Sequence, residues 1–175
     1  QGGGPMMLAD TGEHSHVTHK AQACPTSASV KTYDVAAIQV TMVLNRWGDR
    51  DPDGYMYVIR DNIPAVRQQE SAATDAHFAT GFGLTPGLGG DPIQPLVIRA
   101  NIGDCVRITF TNLTHEGDNK KGRPASFHVH GADFILKDTG KPALSTDPNS
   151  IALPGQSIHL EWYVDPDYYQ ENTHY

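Results

Sequence analysis

The feature that most constrains the fold is a set of short segments in which apolar and polar residues alternate. Cys105 to Thr111 and Ser157 to Val164 both show this pattern. A period of two places successive side chains on opposite faces of a β-strand. Turn-forming tripeptides, Ile102-Gly103-Asp104 and Leu153-Pro154-Gly155, precede these segments. Several short alternating strands separated by such turns are typical of a β-sandwich or β-barrel.

Further segments of the sequence also indicate short strands separated by turns. The 17 glycines and 12 prolines among 175 residues disfavour a helical bundle. The residue pattern predicts the following elements: a strand over 35–44 with Ile38, Val40 and Met42 on one face, a polar turn over 48–54, a returning strand over 55–60, a short helix over 65–73, a long loop over 81–95, and a strand over 126–131.

Charge and length exclude several classes of protein. The formal net charge is −7 and there is no dense run of Lys and Arg, which argues against a nucleic-acid partner. No stretch reaches the roughly 18 to 20 continuous apolar residues of a membrane helix, so we expect no membrane span. Two cysteines are too few for a zinc-finger or knottin framework.

The pentapeptide Phe127-His128-Val129-His130-Gly131 is the main candidate functional motif. On the predicted strand, His128 and His130 share one face about 7 Å apart, while Phe127 and Val129 share the other. Two imidazoles at this spacing can bind one metal ion or two neighbouring ions, and imidazole suits copper, zinc, iron and nickel. Two exposed histidines without a metal remain the alternative.

The surroundings of this pair resemble the first cupredoxin domain of multicopper oxidases. A "RANxGDxVxxxFTN" segment at 99–112 precedes the pair, and a Pro-Gly-Gln turn at 154–156 with a Trp-Tyr strand at 162–163 follows it. The resemblance covers about residues 33 to 175. The stretch 33–58 is most similar to large bacterial members, the ceruloplasmin-like and manganese-oxidase-like proteins.

The resemblance implies an all-β, cupredoxin-like Greek-key β-barrel or sandwich over residues 30–175, after a flexible N-terminal extension at 1–29. By position, His128 would bind the type 2 copper and His130 a type 3 copper of a trinuclear cluster. Such a cluster reduces O2 to water with electrons from a type 1 copper, which oxidises a phenol, a metal ion such as Mn(II), Fe(II) or Cu(I), or another small donor.

One histidine pair cannot complete such a cluster. The family uses four pairs, and the second pair of the first domain would begin near Asn172-Thr173-His174-Tyr175. We therefore expect a domain truncated or nicked near this end, with further cupredoxin domains on a continuation or a second chain as partners. Neither cysteine has the histidine neighbours of a type 1 site. A copper nitrite reductase relative, or a non-catalytic copper-binding or assembly protein, are the alternative functions.

Two smaller features complete the sequence-based hypotheses. Cys105 lies on the strand face opposite Val106, so a disulfide with Cys24 could attach the extension to the barrel; two free thiols are the alternative. The resemblance to exported copper proteins favours the disulfide and a periplasmic or extracellular location. A histidine cluster in the extension could bind a further metal ion, although a solvated tail is the favoured interpretation: His14, His16 and His19.

Overall fold

A computed structural model describes residues 21–43, 49–80, 92–115, 122–129, 132–144 and 147–167. Within these ranges, one α-helix, α1, spans Ile63–Thr80, and short 3-10 turns occupy Arg60–Asn62 and Pro148–Ser150. The strands are β1 (Val30–Val43), β2 (Arg50–Ile59), β3 (Cys105–Asn112), β4 (Ala125–Ser126), β5 (Ile135–Leu136), β6 (Ile151–Ala152) and β7 (Ser157–Tyr163).

The strands form two sheets. A five-stranded sheet has the order β2-β1-β3-β7-β5, in which β1 and β3 are parallel and the other neighbours are antiparallel. β4 and β6 form a two-stranded antiparallel sheet. The described part of the chain is therefore mostly β-structure, and its mixed sheet is consistent with the predicted β-sandwich. The connection between the parallel strands contains β2 and α1.

The centre of β1 is buried on both faces, which corrects the expectation of one apolar face. Val35 and Ala37 pack in a core cluster with Ile108, while Ala36 and Ile38 belong to a second cluster on the opposite face. β1 lies between β2 and β3 and is covered on the second face, so every residue from 35 to 40 is buried. Such a strand lacks a clear alternation of apolar and polar residues.

Helix α1 covers this second face. Val66 is fully buried in the cluster that contains Ile38 and Val40. Two polar contacts attach the helix to β1: an Arg67 guanidinium nitrogen donates to the Gln39 carbonyl oxygen at 2.8 Å, and Glu70 accepts from the Thr41 amide at 2.6 Å. The predicted helix is confirmed and is longer than expected.

The predicted turn over 48–54 is wrong beyond its first residues, because β2 begins at Arg50. The register between β1 and β2 shifts between Val40 and Met42, so the ladder continues past an irregularity. A Cβ at Gly54 would lie 2.8 Å from the Met42 Cγ and 3.0 Å from the Val40 carbonyl oxygen. Glycine lets the two strands stay paired where a side chain would separate them.

The predicted strand over 126–131 is wrong for residues 127–129, which are not in a strand, while residues 130–131 lie outside the described ranges. β4 ends at Ser126 because Ser126 pairs with Ile151, the first residue of β6, and the residues before Ile151 form the 3-10 turn Pro148–Ser150 and not a partner strand. Phe127 is buried whereas Val129 is 39% exposed, so these two side chains do not share a core face. His130 lies outside the described residues.

No helix in the described ranges is long and apolar enough to cross a membrane.

Candidate functional site

His128 is an exposed residue that follows a firmly packed neighbour. Phe127, immediately before it, packs edge-on against Tyr57 and Phe134, with ring centroids 5.5 and 6.0 Å apart. The Tyr57 hydroxyl also donates to the Ser126 carbonyl oxygen at 2.6 Å. These contacts fix the backbone before His128 and leave its imidazole at the surface.

A mostly apolar groove of about 890 Å³ lies beside His128. Aromatic side chains form much of its wall: Tyr55, Tyr57, Phe127, Phe134 and Trp162. The described lining residues include no Asp, Glu, Lys or Arg, and His128 is the one histidine among them. The groove therefore combines a mostly aromatic and aliphatic surface with one imidazole.

Burial raises the pKa of Tyr57, whose hydroxyl is engaged with Ser126. The phenol therefore stays protonated at neutral pH and acts here as a hydrogen-bond donor that holds β4 in place. Tyr57 is accordingly a structural support for the His128 segment.

Among the described residues, His128 belongs to no group of three potential metal ligands. His115 and His159 are exposed, and the Thr109 hydroxyl lies 3.4 Å from the His159 Nδ1. The further metal candidates His14, His16 and His19 lie outside the described residues, as does His174. The predicted pairing of His128 with His130 stays a prediction.

The predicted disulfide between Cys24 and Cys105 is present. Their Cα atoms are 5.7 Å apart, and the bond closes a loop across 81 positions of sequence. The Cys105 amide also donates to the Ser29 carbonyl oxygen at 2.8 Å. Residues 24–29 are therefore attached to the start of β3 by a covalent bond and a backbone hydrogen bond.

Glu161 is a buried carboxylate that the sequence did not single out. It lies on β7 directly opposite Arg107, whose Nε donates to its Oε2 at 2.8 Å. The Cys24 amide donates to its other oxygen, Oε1, at 2.9 Å. One carboxylate thus joins the extension, β3 and β7 beside the disulfide.

Burial raises the pKa of Glu161, but the hydrogen bond from the Cys24 amide and the contacts with Arg107 together lower it below its ordinary value. Glu161 is therefore ionised at neutral pH although only 6% of the residue is exposed. The alternation of residues in β7 correctly predicts that Glu161 lies on the face opposite the apolar residues. The pairing of β7 with β3, which brings Glu161 next to Arg107 and Cys24, cannot be read from the sequence.

Cys24, Cys105 and Glu161 form the one group of three potential metal ligands found among the described residues. In the disulfide state the two sulfur atoms are bonded to each other, so they are not thiolate ligands. No histidine belongs to this group. It is separate from the groove beside His128, because none of its three residues lines that groove.

Comparison of the chain with models of protein families and with curated proteins finds no match.

Proposed function

We propose that this chain is the N-terminal cupredoxin-like part of a multicopper oxidase and provides His128 and His130 as copper ligands. The observation that carries the proposal is the exposed imidazole of His128, which follows a firmly packed Phe127 at the edge of an aromatic groove. An accessible imidazole on a fixed backbone is suited to binding a metal ion with little reorganisation. The family named in the proposal is inferred from the order of the three sequence motifs.

The chemical type of the site fits copper. Imidazole is a good ligand for copper, and His128 is exposed at the edge of the aromatic groove. A trinuclear cluster needs more imidazoles than this pair, and we propose that other cupredoxin domains, on a continuation or a second chain, provide them. When bound, the copper cluster would supply the reduction of O2 to water with electrons from a type 1 copper elsewhere.

The fold and the disulfide support the same proposal. A mostly β chain with a mixed five-stranded sheet is compatible with a cupredoxin-like Greek-key sandwich. Disulfides persist in oxidising compartments, so the Cys24–Cys105 bond supports a periplasmic or extracellular location. The electron donor would be a phenol, a reduced metal ion or another small molecule.

Replacement of His128 tests the proposal. In the protein with its partner domains, His128→Ala should reduce O2 uptake with phenol, Mn(II), Fe(II) or Cu(I) to the background rate and lower the bound copper. The reason is that a cluster without this imidazole would bind copper more weakly and would lose its coordination geometry. Oxygen-electrode measurements and copper analysis on the same samples provide the two readouts.

The matched control is His159→Ala, since His159 is also exposed but lies on β7 and does not line the groove. This variant should keep the copper content and the O2 uptake of the unmodified protein. O2 uptake that survives in His128→Ala would remove His128 from the cluster. Nitrite consumption without O2 uptake would favour the nitrite reductase alternative.

A further inference from the structure

We propose that reduction of the Cys24–Cys105 disulfide creates a Zn²⁺ site whose protein ligands are the two thiolates and the Glu161 carboxylate. In the structure, one potential ligand atom from each of these residues lies within 4.8 Å of the other two. This site uses no residue of the proposed copper cluster. The disulfide state and the metal-bound state would be alternative forms of the same three side chains.

The sheet register places two of the ligands on one face. Cys105 pairs with Tyr163 and Arg107 pairs with Glu161 in the antiparallel β3–β7 ladder. Cross-strand partners share a face of the sheet, and so do residues two apart on one strand. Cys105 and Glu161 therefore lie on the same face as diagonal neighbours. Cys24 lies over this pair, with its amide 2.9 Å from the Glu161 Oε1.

The distances are suited to a tetrahedral ion. Zn²⁺ binds thiolate sulfur at about 2.3 Å, which puts two thiolates on one ion roughly 3.8 Å apart. The cysteine Cα atoms are 5.7 Å apart, so the sulfur atoms can separate to this distance by side-chain rotation once the bond between them is broken. Cys105 is fully buried and Cys24 is half-buried, so the fourth position, for water, would open on the Cys24 side.

The local charges favour a divalent ion. Two thiolates, one carboxylate and Zn²⁺ sum to one negative charge, and Arg107 already contacts Glu161 with its Nε at 2.8 Å. The guanidinium would neutralise that charge, which matters because an unpaired buried charge is costly. Lys137 adds a further favourable charge at longer range. Mixed sulfur and carboxylate ligands suit Zn²⁺ better than Cu⁺, which prefers soft ligands alone.

The redox step balances with a phosphine as the reductant. The disulfide accepts two electrons and two protons to give two thiols, and the phosphine becomes a phosphine oxide with its oxygen atom from water. Binding of Zn²⁺ then displaces the two thiol protons into solvent.

Titration of the reduced protein with Co²⁺ and Zn²⁺ tests this site. After phosphine treatment and removal of oxygen, we expect one Co²⁺ per chain with a thiolate-to-cobalt charge-transfer absorption, displaced by one Zn²⁺. The absorption reports sulfur ligands, so histidines elsewhere in the chain do not produce it. The untreated disulfide form should show none, and absence of the absorption in the reduced protein would overturn the proposal.

Glu161→Gln tests the carboxylate. It should weaken Zn²⁺ binding at least about tenfold, as measured by competition with a chromophoric chelator. Glu70→Gln is the matched control, since Glu70 also accepts a backbone amide and an Arg contact but lies on α1. Equal affinity in Glu161→Gln and the unmodified protein would overturn the three-ligand site.

A second measurement does not depend on the folding of a variant. In the reduced, unmodified protein, one equivalent of Zn²⁺ should protect Cys24 and Cys105 from alkylation, as followed by mass spectrometry. Unchanged alkylation rates with Zn²⁺ would overturn the proposal.

Discussion

At the scale of single residues, Glu161 shows how a few contacts decide the behaviour of a side chain. Its position on β7 is on the face opposite the apolar residues, where a solvated carboxylate would be the ordinary outcome. It is buried instead, because Cys24 and Arg107 both donate hydrogen bonds to it. A buried carboxylate with two donors is ionised and stabilises the folded state.

We expect Glu161→Gln to lower the free energy of unfolding by about 1 to 3 kcal/mol at neutral pH. A glutamine has one acceptor oxygen, so either the Cys24 amide or the Arg107 Nε would face an NH2 group. The pKa of Glu161 is lowered in the folded state, so its contribution is present above the ordinary carboxyl pKa of about 4.3 and is lost as the pH falls through the folded value.

Urea unfolding of both proteins at pH 7 and near pH 3 measures this effect. The difference between them should shrink in acid. Asp138→Asn, a change at an exposed residue in the turn after β5, should alter stability by less than about 0.5 kcal/mol. A Glu161→Gln difference that is the same at both pH values would contradict ionisation as its source.

At the scale of elements, the strands with alternating apolar and polar residues were predicted well, and the two-sided burial of β1 was not. β3 and β7 alternate clearly, and their positions match the prediction within one residue at each end. β1 carries apolar residues on both faces because α1 covers the side away from the main core. The prediction of a strand through His128 failed for a different reason. A strand needs a partner strand, and the partner of β4, β6, is two residues long.

The cover provided by α1 can be tested at Val66. Val66→Ala removes two buried methyl groups from the cluster with Ile38 and Val40 and should lower the free energy of unfolding by about 2 kcal/mol. Gln68→Ala, at an exposed position of the same helix, should change it by less than about 0.5 kcal/mol. Chemical denaturation of the three proteins is the measurement, and equal losses for both variants would mean that α1 does not pack on β1.

At the scale of the whole molecule, the Cys24–Cys105 bond joins distant parts of the chain. It connects the segment before β1 to the start of β3, and β1 and β3 are themselves parallel neighbours. A crosslink across 81 positions restricts the unfolded chain strongly. The chain-entropy model gives a stabilisation of about 4 to 5 kcal/mol for a loop of this length.

Reduction by a phosphine, with a metal chelator present, should therefore lower Tm by roughly 10 to 15 °C. Calorimetry with and without the phosphine measures the change. Cys24→Ala should resemble the reduced protein and should not respond to the phosphine. An unchanged Tm after complete reduction, verified by thiol counting, would show that strand pairing alone holds residues 24–29 and that the bond adds nothing.

The sequence by itself determined the mostly β character, the positions of β3 and β7, and the presence of a helix that includes residues 65–73. These follow from alternation, turn residues and chain composition, which are local properties. The tertiary structure alone decided that β1 is buried on both faces, that the strand before His128 ends at Ser126, and that Glu161 meets Arg107 and Cys24. Burial and register depend on which distant segments become neighbours, and local patterns do not contain that information.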